Sequence, residues 1–209
     1  MSGLWDEVEA ERHVGELALR VYSSHLLGRD PSLVLHGGGN TSLKLREMDV
    51  LGDEHEILYV KGSGWDLATI EAAGFAPVVM AHLLGLGALE SLSDERMVNE
   101  LATHVTRAGA PAPSIEAILH ALLPHRFVDH THADALLALS DTAVGPARIA
   151  SLYGDAVVVV PYVMPGFDLA RACAREFPRQ AHAGTIGSAR QNDRRPGPLP
   201  VQHCPCRSS

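Results

Sequence analysis

The chain has 209 residues, 46% hydrophobic and 20% charged, with a formal net charge of −8. That length holds one domain with a sizeable core, or at most two small ones, and the acidity argues against nucleic acid as a partner. The longest apolar run, AVVVVPYVM at 156–164, is far short of the ~20 residues a membrane-spanning helix needs.

The N-terminus lacks an apolar leader with a cleavage site. The three cysteines, Cys173, Cys204 and Cys206, make no disulfide framework. A cytoplasmic protein without a membrane partner is therefore expected.

In chain order, residues 5–28 read as an amphipathic helix. SLVLHGGGNTSLKLRE (32–47) reads as strand, glycine turn and strand, and EILYVKGSG (56–64) as a further strand ending in a glycine loop. A helix is predicted within 66–90. Another follows Ser93, where Met97, Leu101 and Val105 recur every four residues.

PAPSIEAILHALLP (111–124) is a short helix with Ser114 as its N-cap. It carries an Ile115, Ile118, Leu119, Leu122 stripe and stops at Pro124. A strand holding the two histidines of HTHADA comes next. DAVVVVPYV follows as a buried strand and GFDLARACAREF as a helix. Strands alternating with helices make the class α/β.

The last 29 residues break this pattern. They hold four prolines, few large apolar residues, and Arg190, Arg194, Arg195 and Arg207 against Asp193 alone. Such a segment buries no hydrophobic face, so disorder is its default reading.

His130 and His132 are the first candidates for chemistry. In a strand, residues two apart share a face, so both imidazoles can reach one metal ion. A polar, half-exposed face is the ordinary alternative. Asp129 lies on the opposite face, whereas Asp134 shares theirs. A zinc site needs a third ligand.

Glu116 lies in the first turn of its helix, off the apolar stripe, with His120 one turn on and facing the same way. Its helix runs into the histidine strand, which places the carboxylate for general acid/base work; acidic residues also favour first turns for helix-dipole reasons. GGGNTS (37–42), KGSG (61–64) and PSIE (113–116) combine small residues with free N–H and hydroxyl groups, the chemistry of a phosphate cradle. Lys44 and Lys61 add charge nearby, or are ordinary surface lysines. Neither a dinucleotide fingerprint nor a P-loop is present.

These motifs in this order, through most of residues 10–187, resemble the class II aldolase/adducin family. The likeness is nearest to the aldolase half of bifunctional rhamnulose-1-phosphate aldolase/short-chain dehydrogenase proteins. The resemblance implies a central, mainly antiparallel sheet flanked by helices in three layers. It also implies a homo-oligomer, usually a tetramer with active sites at subunit contacts. The implied reaction is zinc-dependent lyase chemistry of carbohydrate metabolism, cleaving L-rhamnulose 1-phosphate to dihydroxyacetone phosphate and L-lactaldehyde. Zinc there acts as a Lewis acid.

By position, His130 and His132 match the first two zinc ligands and Glu116 the proton-transfer residue. Gly39 and Asn40 match the phosphate turn, and Ser63, Gly64, Ser114 and Ile115 fall where the family binds phosphate. A sugar-phosphate 4-epimerase or another aldolase on the same scaffold is the alternative, as is a non-catalytic adducin-like domain.

The family's third metal histidine belongs after a strand that should follow HAGTIG. GSARQNDRRPGPLPVQHCPCRSS stands there instead. The expectation is an aldolase-like domain over 1–187, incomplete at its C-terminus, with 188–209 an aberrant, frameshifted and disordered tail and activity impaired. His203, Cys204 and Cys206 are the tail's own candidate donors.

Overall fold

The computed structural model describes residues 4–183 and 199–201. Two helices, α1 (Glu7–Ala10) and α2 (Glu16–Gly28), open the fold. Gly15 separates them with φ of 90°, so the single helix expected over 5–28 is broken where the backbone enters the left-handed region. Strands β1 (Asn40–Met48), β2 (Glu54–Lys61) and β3 (Phe75–Val79) precede α3 (Met80–Gly87) and α4 (Asp94–Thr103). Next come α5 (Ala117–Leu122), β4 (Phe127–His130), α6 (Asp134–Ser140) and α7 (Gly145–Tyr153). The remaining elements are β5 (Val157–Val159), α8 (Phe167–Ala183) and β6 (Leu199–Val201).

The main sheet has the order β3-β2-β1-β4, and each neighbouring pair is antiparallel. Strand alternation sorts its two faces. Thr41 and Asp129, directly paired, face α2: Thr41 shares a hydroxyl contact of 2.8 Å with Ser24, and Asp129 forms an ion pair with Arg20. Ser42 and Lys44 face α5, where Ser42 Oγ lies 2.7 Å from His120 Nδ1 and Lys44 Nζ donates to the Ala121 and Leu123 carbonyls. Leu58, Val60, Ala76 and Val78 join α3, α5 and α8 in the main core, which also takes Met97 and Leu101 from α4. The result is the expected α/β architecture, an antiparallel sheet between helical layers.

Several local expectations are corrected. Leu33–Val34–Leu35 is turn and coil rather than strand, because its backbone wraps the chain end of β4, with the Leu33 carbonyl accepting from His132 N at 2.8 Å. The helix expected within 66–90 begins only at Met80. Phe75–Val79 before it is the strand β3, whose apolar residues are buried against β2. The α5 helix starts at Ala117, so Ser114 lies ahead of it and Ile115, 41% exposed, is no part of a buried stripe. Lys44 is no surface lysine: its buried ammonium caps the end of α5, and burial, only partly offset by Glu56, lowers it to about 8.

Most of the tail lies outside the described residues. Leu199–Val201, for which no element was expected, pairs parallel with Val157–Val159. Among the described residues no helix is long and apolar enough to cross a membrane.

Gly28 shows how tightly α2 sits. A Cβ there would come 2.2 Å from Ala68 N and 2.4 Å from the Leu67 carbonyl carbon. Gly28→Ala gains up to ~1 kcal/mol of helix propensity but forces a backbone shift costing about 1–3 kcal/mol. The variant is expected to be less stable in urea denaturation; a more stable one would mean α2 is free to move off residues 67–68.

Candidate active site

The topology places the site. Because β1 runs antiparallel to both neighbours, its beginning and the ends of β2 and β4 meet at one end of the sheet. The glycine turn before β1, the loop after β2 and the HTH segment therefore converge. The segment before α5 joins them through Ser63 N, which donates to the Ala112 carbonyl at 2.9 Å. Together they enclose a cavity of ≈ 290 Å³ lined by Gly37, Gly38, Gly39, Lys61, Ser63, Gly64, Ser114, Glu116, His130 and His132.

At its centre, Glu116 Oε2 lies 3.0 Å from His130 Nδ1 and accepts from Asn40 Nδ2 at 3.1 Å. Asn40 is directly paired with His130 across β1 and β4, so one strand pair supplies both contacts. Burial raises the Glu116 carboxyl, but the His130 and Asn40 hydrogen bonds and the facing imidazoles outweigh it and bring it down to about 2. Ser114 Oγ accepts from Glu116 N at 3.2 Å and shapes the approach to the helix.

In a neutral His130, the carboxylate facing Nδ1 favours the tautomer with the proton on Nδ1 and the lone pair on Nε2. His130 Nε2 then lies 3.1 Å from His132 Nε2. Two nitrogens on one tetrahedral ion, each ~2.0–2.1 Å from it, stand about 3.3 Å apart. The pair fits as two ligands of one ion, oriented from behind by a carboxylate as metal-bound histidines commonly are. Burial and then His130 keep His132 below the usual imidazole value, and so neutral and able to ligate. Among the described residues the further donors are Glu116 and His120, whose ligand atoms lie with one of His130 within 4.8 Å of each other. His203, Cys204 and Cys206 lie outside the described residues.

The chain bends at Gly39, φ 69°, where a Cβ would stand 3.0 Å from the His130 carbonyl oxygen. Only glycine combines that backbone with that approach.

A model of the class II aldolase and adducin N-terminal domain matches residues 20–186. The chain belongs to the class II aldolase/adducin family. It is 39% identical over 183 residues to the protein named Uncharacterized oxidoreductase YuxG of Bacillus subtilis (strain 168), a match covering 88% of this chain and 27% of that protein. The chain thus spans about a quarter of that relative's length. A solved structure, the N-terminal class II aldolase domain of a conserved protein from Thermoplasma acidophilum, is 40% identical. It superposes with a TM-score of 0.76 over 84% of this chain and 80% of that one.

Within this aldolase-family domain, Gly39, Ser63, Gly64, Ser114, Glu116, His130 and His132 line the cavity. Asn40 is buried behind Glu116, and Ile115 is exposed and not among the lining residues. Asp134 is not beside the histidines as strand alternation required, because β4 ends at His130 and Asp134 opens α6.

The structure decides one residue that the sequence left open, Lys61, and adds one that it did not mark, Arg20. Lys61 lines the cavity with 6% exposure, donating to the Gly37 carbonyl at 3.1 Å; burial lowers its ammonium, with Glu116 and Asp66 opposing. Arg20 holds Asp129 from the far face. Lys61 was legible as part of KGSG, whereas nothing in the sequence around Arg20 pointed to the site.

His120 is fully buried, its Nδ1 on Ser42 and its Nε2 unpartnered. Burial chiefly lowers it from 6.5 to about 3. Its share of stability is whole above pH 6.5 and is lost as pH falls toward 3. Glu116, lowered from 4.5 to about 2, acts in the same direction but only below pH 4.5. In metal-free protein, His120→Gln is therefore expected to flatten the loss of stability between pH 6.5 and 4.5. The change expected is up to ~1.4 kcal/mol per pH unit, read by urea unfolding. An unchanged slope would mean His120 is not held neutral by the fold.

Proposed function

We propose that this chain is the aldolase domain of a metal-dependent lyase cleaving a ketose 1-phosphate, with L-rhamnulose 1-phosphate as substrate and dihydroxyacetone phosphate and L-lactaldehyde as products. The observation that carries this is the convergence of His130, His132, Glu116 and Lys61 with three small-residue loops around one cavity. A structural domain has no use for a largely covered carboxylate, two adjacent imidazoles and a buried ammonium held together.

His130 and His132 would supply two of the ion's ligands through their Nε2 atoms, the third ligand coming from outside this pair. A divalent ion there, zinc by the chemistry of the donors, supplies Lewis-acid polarisation of the substrate's oxygens. The residues do the rest. Lys61, with one of its three ammonium protons on Gly37, has donors left for an anion. The hydroxyls of Ser63 and Ser114 and the backbone at Gly39 and Gly64 complete the rim for a phosphate.

Glu116 has Oε2 engaged by His130 and Asn40, leaving Oε1 to exchange a proton with the substrate. In cleavage, the C3–C4 bond breaks, the C4 hydroxyl loses its proton to become the aldehyde, and C3 gains one. Glu116 is the group that moves the proton.

As in the family, the protein acts as a homo-oligomer, in the cytoplasm. The oxidoreductase in the relative's name describes a protein of which this chain covers 27%, and that activity is not carried over.

The test combines zinc analysis with product assays. Zinc bound through His130 and His132, with lactaldehyde released from L-rhamnulose 1-phosphate, supports the reading. Glu116→Gln should then lower kcat by ~10²–10⁴-fold with zinc retained. Lys61→Met should raise KM by about tenfold or more without changing zinc content. Epimerised pentulose phosphate with no cleavage would make it an epimerase. Bound sugar phosphate without turnover, or none bound, would sink the enzymatic reading.

A further inference from the structure

Away from the cavity, the described residues hold one other group of metal-type donors, on a different part of the fold. His82 lies on α3, Glu100 on α4, and His104 directly after α4. One ligand atom from each lies within 4.8 Å of the other two. His82 Nε2 is 2.9 Å from Glu100 Oε2, and His104 Nδ1 is 3.7 Å from the same oxygen. These separations bracket the ~3.3 Å expected between two ligand atoms on a tetrahedral ion.

The His82 approach is not a hydrogen bond. Its Nε2 is buried and has no hydrogen-bond partner, although the carboxylate oxygen stands beside it. A nitrogen and a carboxylate oxygen that close, without N–H···O alignment, are placed as two ligands of a shared cation would be. The side chains are a quarter to just over a third exposed, so solvent reaches all three.

We propose that His82, Glu100 and His104 form a second divalent-cation site, of the zinc class, that staples α4 to α3. Two imidazoles and a single carboxylate suit zinc, nickel or copper over calcium or magnesium. The surroundings show what the staple would hold. Val79 N donates to the His104 carbonyl at 3.1 Å, Val105 bridges Val78, and Thr106 N donates to the Pro77 carbonyl at 2.9 Å. The segment after α4 thus lies along the edge of β3, and the cation would clamp it there.

The geometry also sets the strength. The two rings are stacked with centroids 3.3 Å apart and planes 3° from parallel, so their in-plane lone pairs do not meet at one point. Binding turns the His104 ring out of the stack, requires its Nδ1 to give up the proton it donates to the Glu100 carbonyl oxygen at 2.8 Å, and breaks the 3.1 Å contact of Nδ1 with Thr103 Oγ1. With that cost and three protein ligands, micromolar affinity is expected rather than the tighter binding of closed structural sites.

The experiment is zinc titration by calorimetry, with thermal unfolding, on a chain carrying His130→Ala and His132→Ala. Removing those donors makes the outcome independent of the proposed aldolase reading. One zinc per chain with micromolar Kd and a raised Tm, both abolished by adding His82→Ala, is the expected result. No zinc binding in this background, or binding unchanged by His82→Ala and by His104→Ala, would overturn the proposal, leaving an ion pair of Glu100 with stacked histidines. Should the double-alanine chain not fold, His82→Gln in the otherwise native chain serves instead. Zinc bound at saturation should fall by one ion per chain, and an unchanged stoichiometry refutes the site.

Discussion

The site depends above all on the antiparallel pairing of β1 with β4. Asn40 lies opposite His130 and Thr41 opposite Asp129. Alternation then sends one pair to each face of the sheet. Asn40 and His130 grip Glu116 on the cavity side. Thr41 and Asp129 are tied to α2 by Ser24 and Arg20 on the other. A slip of one residue in this register would exchange the faces, turning His130 toward α2 and Asp129 toward the cavity. The pairing of buried Arg20 with the more exposed Asp129 works against such a slip, since a buried guanidinium left unpaired is costly.

Electrostatics follow from that frame. Glu116 is kept ionised against its burial because two donors converge on one of its oxygens. The imidazoles around it, His120 and His132, are pushed the other way, toward the neutral form. Lys61 supplies the opposite charge from the end of β2. A largely covered carboxylate and a buried ammonium thus line one polar cavity, each acting on the other's charge. Lys44, also buried, serves a different end. Its ammonium closes the carbonyls at the end of α5 and so steadies the helix that Glu116 precedes.

Much of this was legible in the residues. The order of GGGNTS, KGSG, PSIE and HTH identifies the family, and seven of its nine candidate site residues line one cavity. Strands β1 and β2 form where their composition placed them, although helices on both faces bury the start of β1 continuously rather than in alternation; in α4 the four-residue spacing does match burial, at Met97 and Leu101. Other segments misled for physical reasons. Phe75–Val79 is a continuous apolar run, which periodicity alone cannot separate from helix; pairing with β2 decided for strand. Leu33–Leu35 has strand composition, but its backbone partner is the stretch just past β4. Ile115 completes a helical stripe on paper, yet the helix begins two residues later.

The sequence by itself determined the kinds of chemistry available: two imidazoles two residues apart, a carboxylate beside a short helix, and glycines where backbone must come close. Those are local properties, carried by residue type and spacing. Tertiary structure alone decided which end of which strand meets which loop, and hence that Lys61 belongs to the cavity, that Asn40 stands behind Glu116, and that Lys44 is a cap. It also brought His82, Glu100 and His104 together from two helices, a grouping no spacing rule reveals. Burial, pairing register and the charges they set arise only when distant segments close around one another.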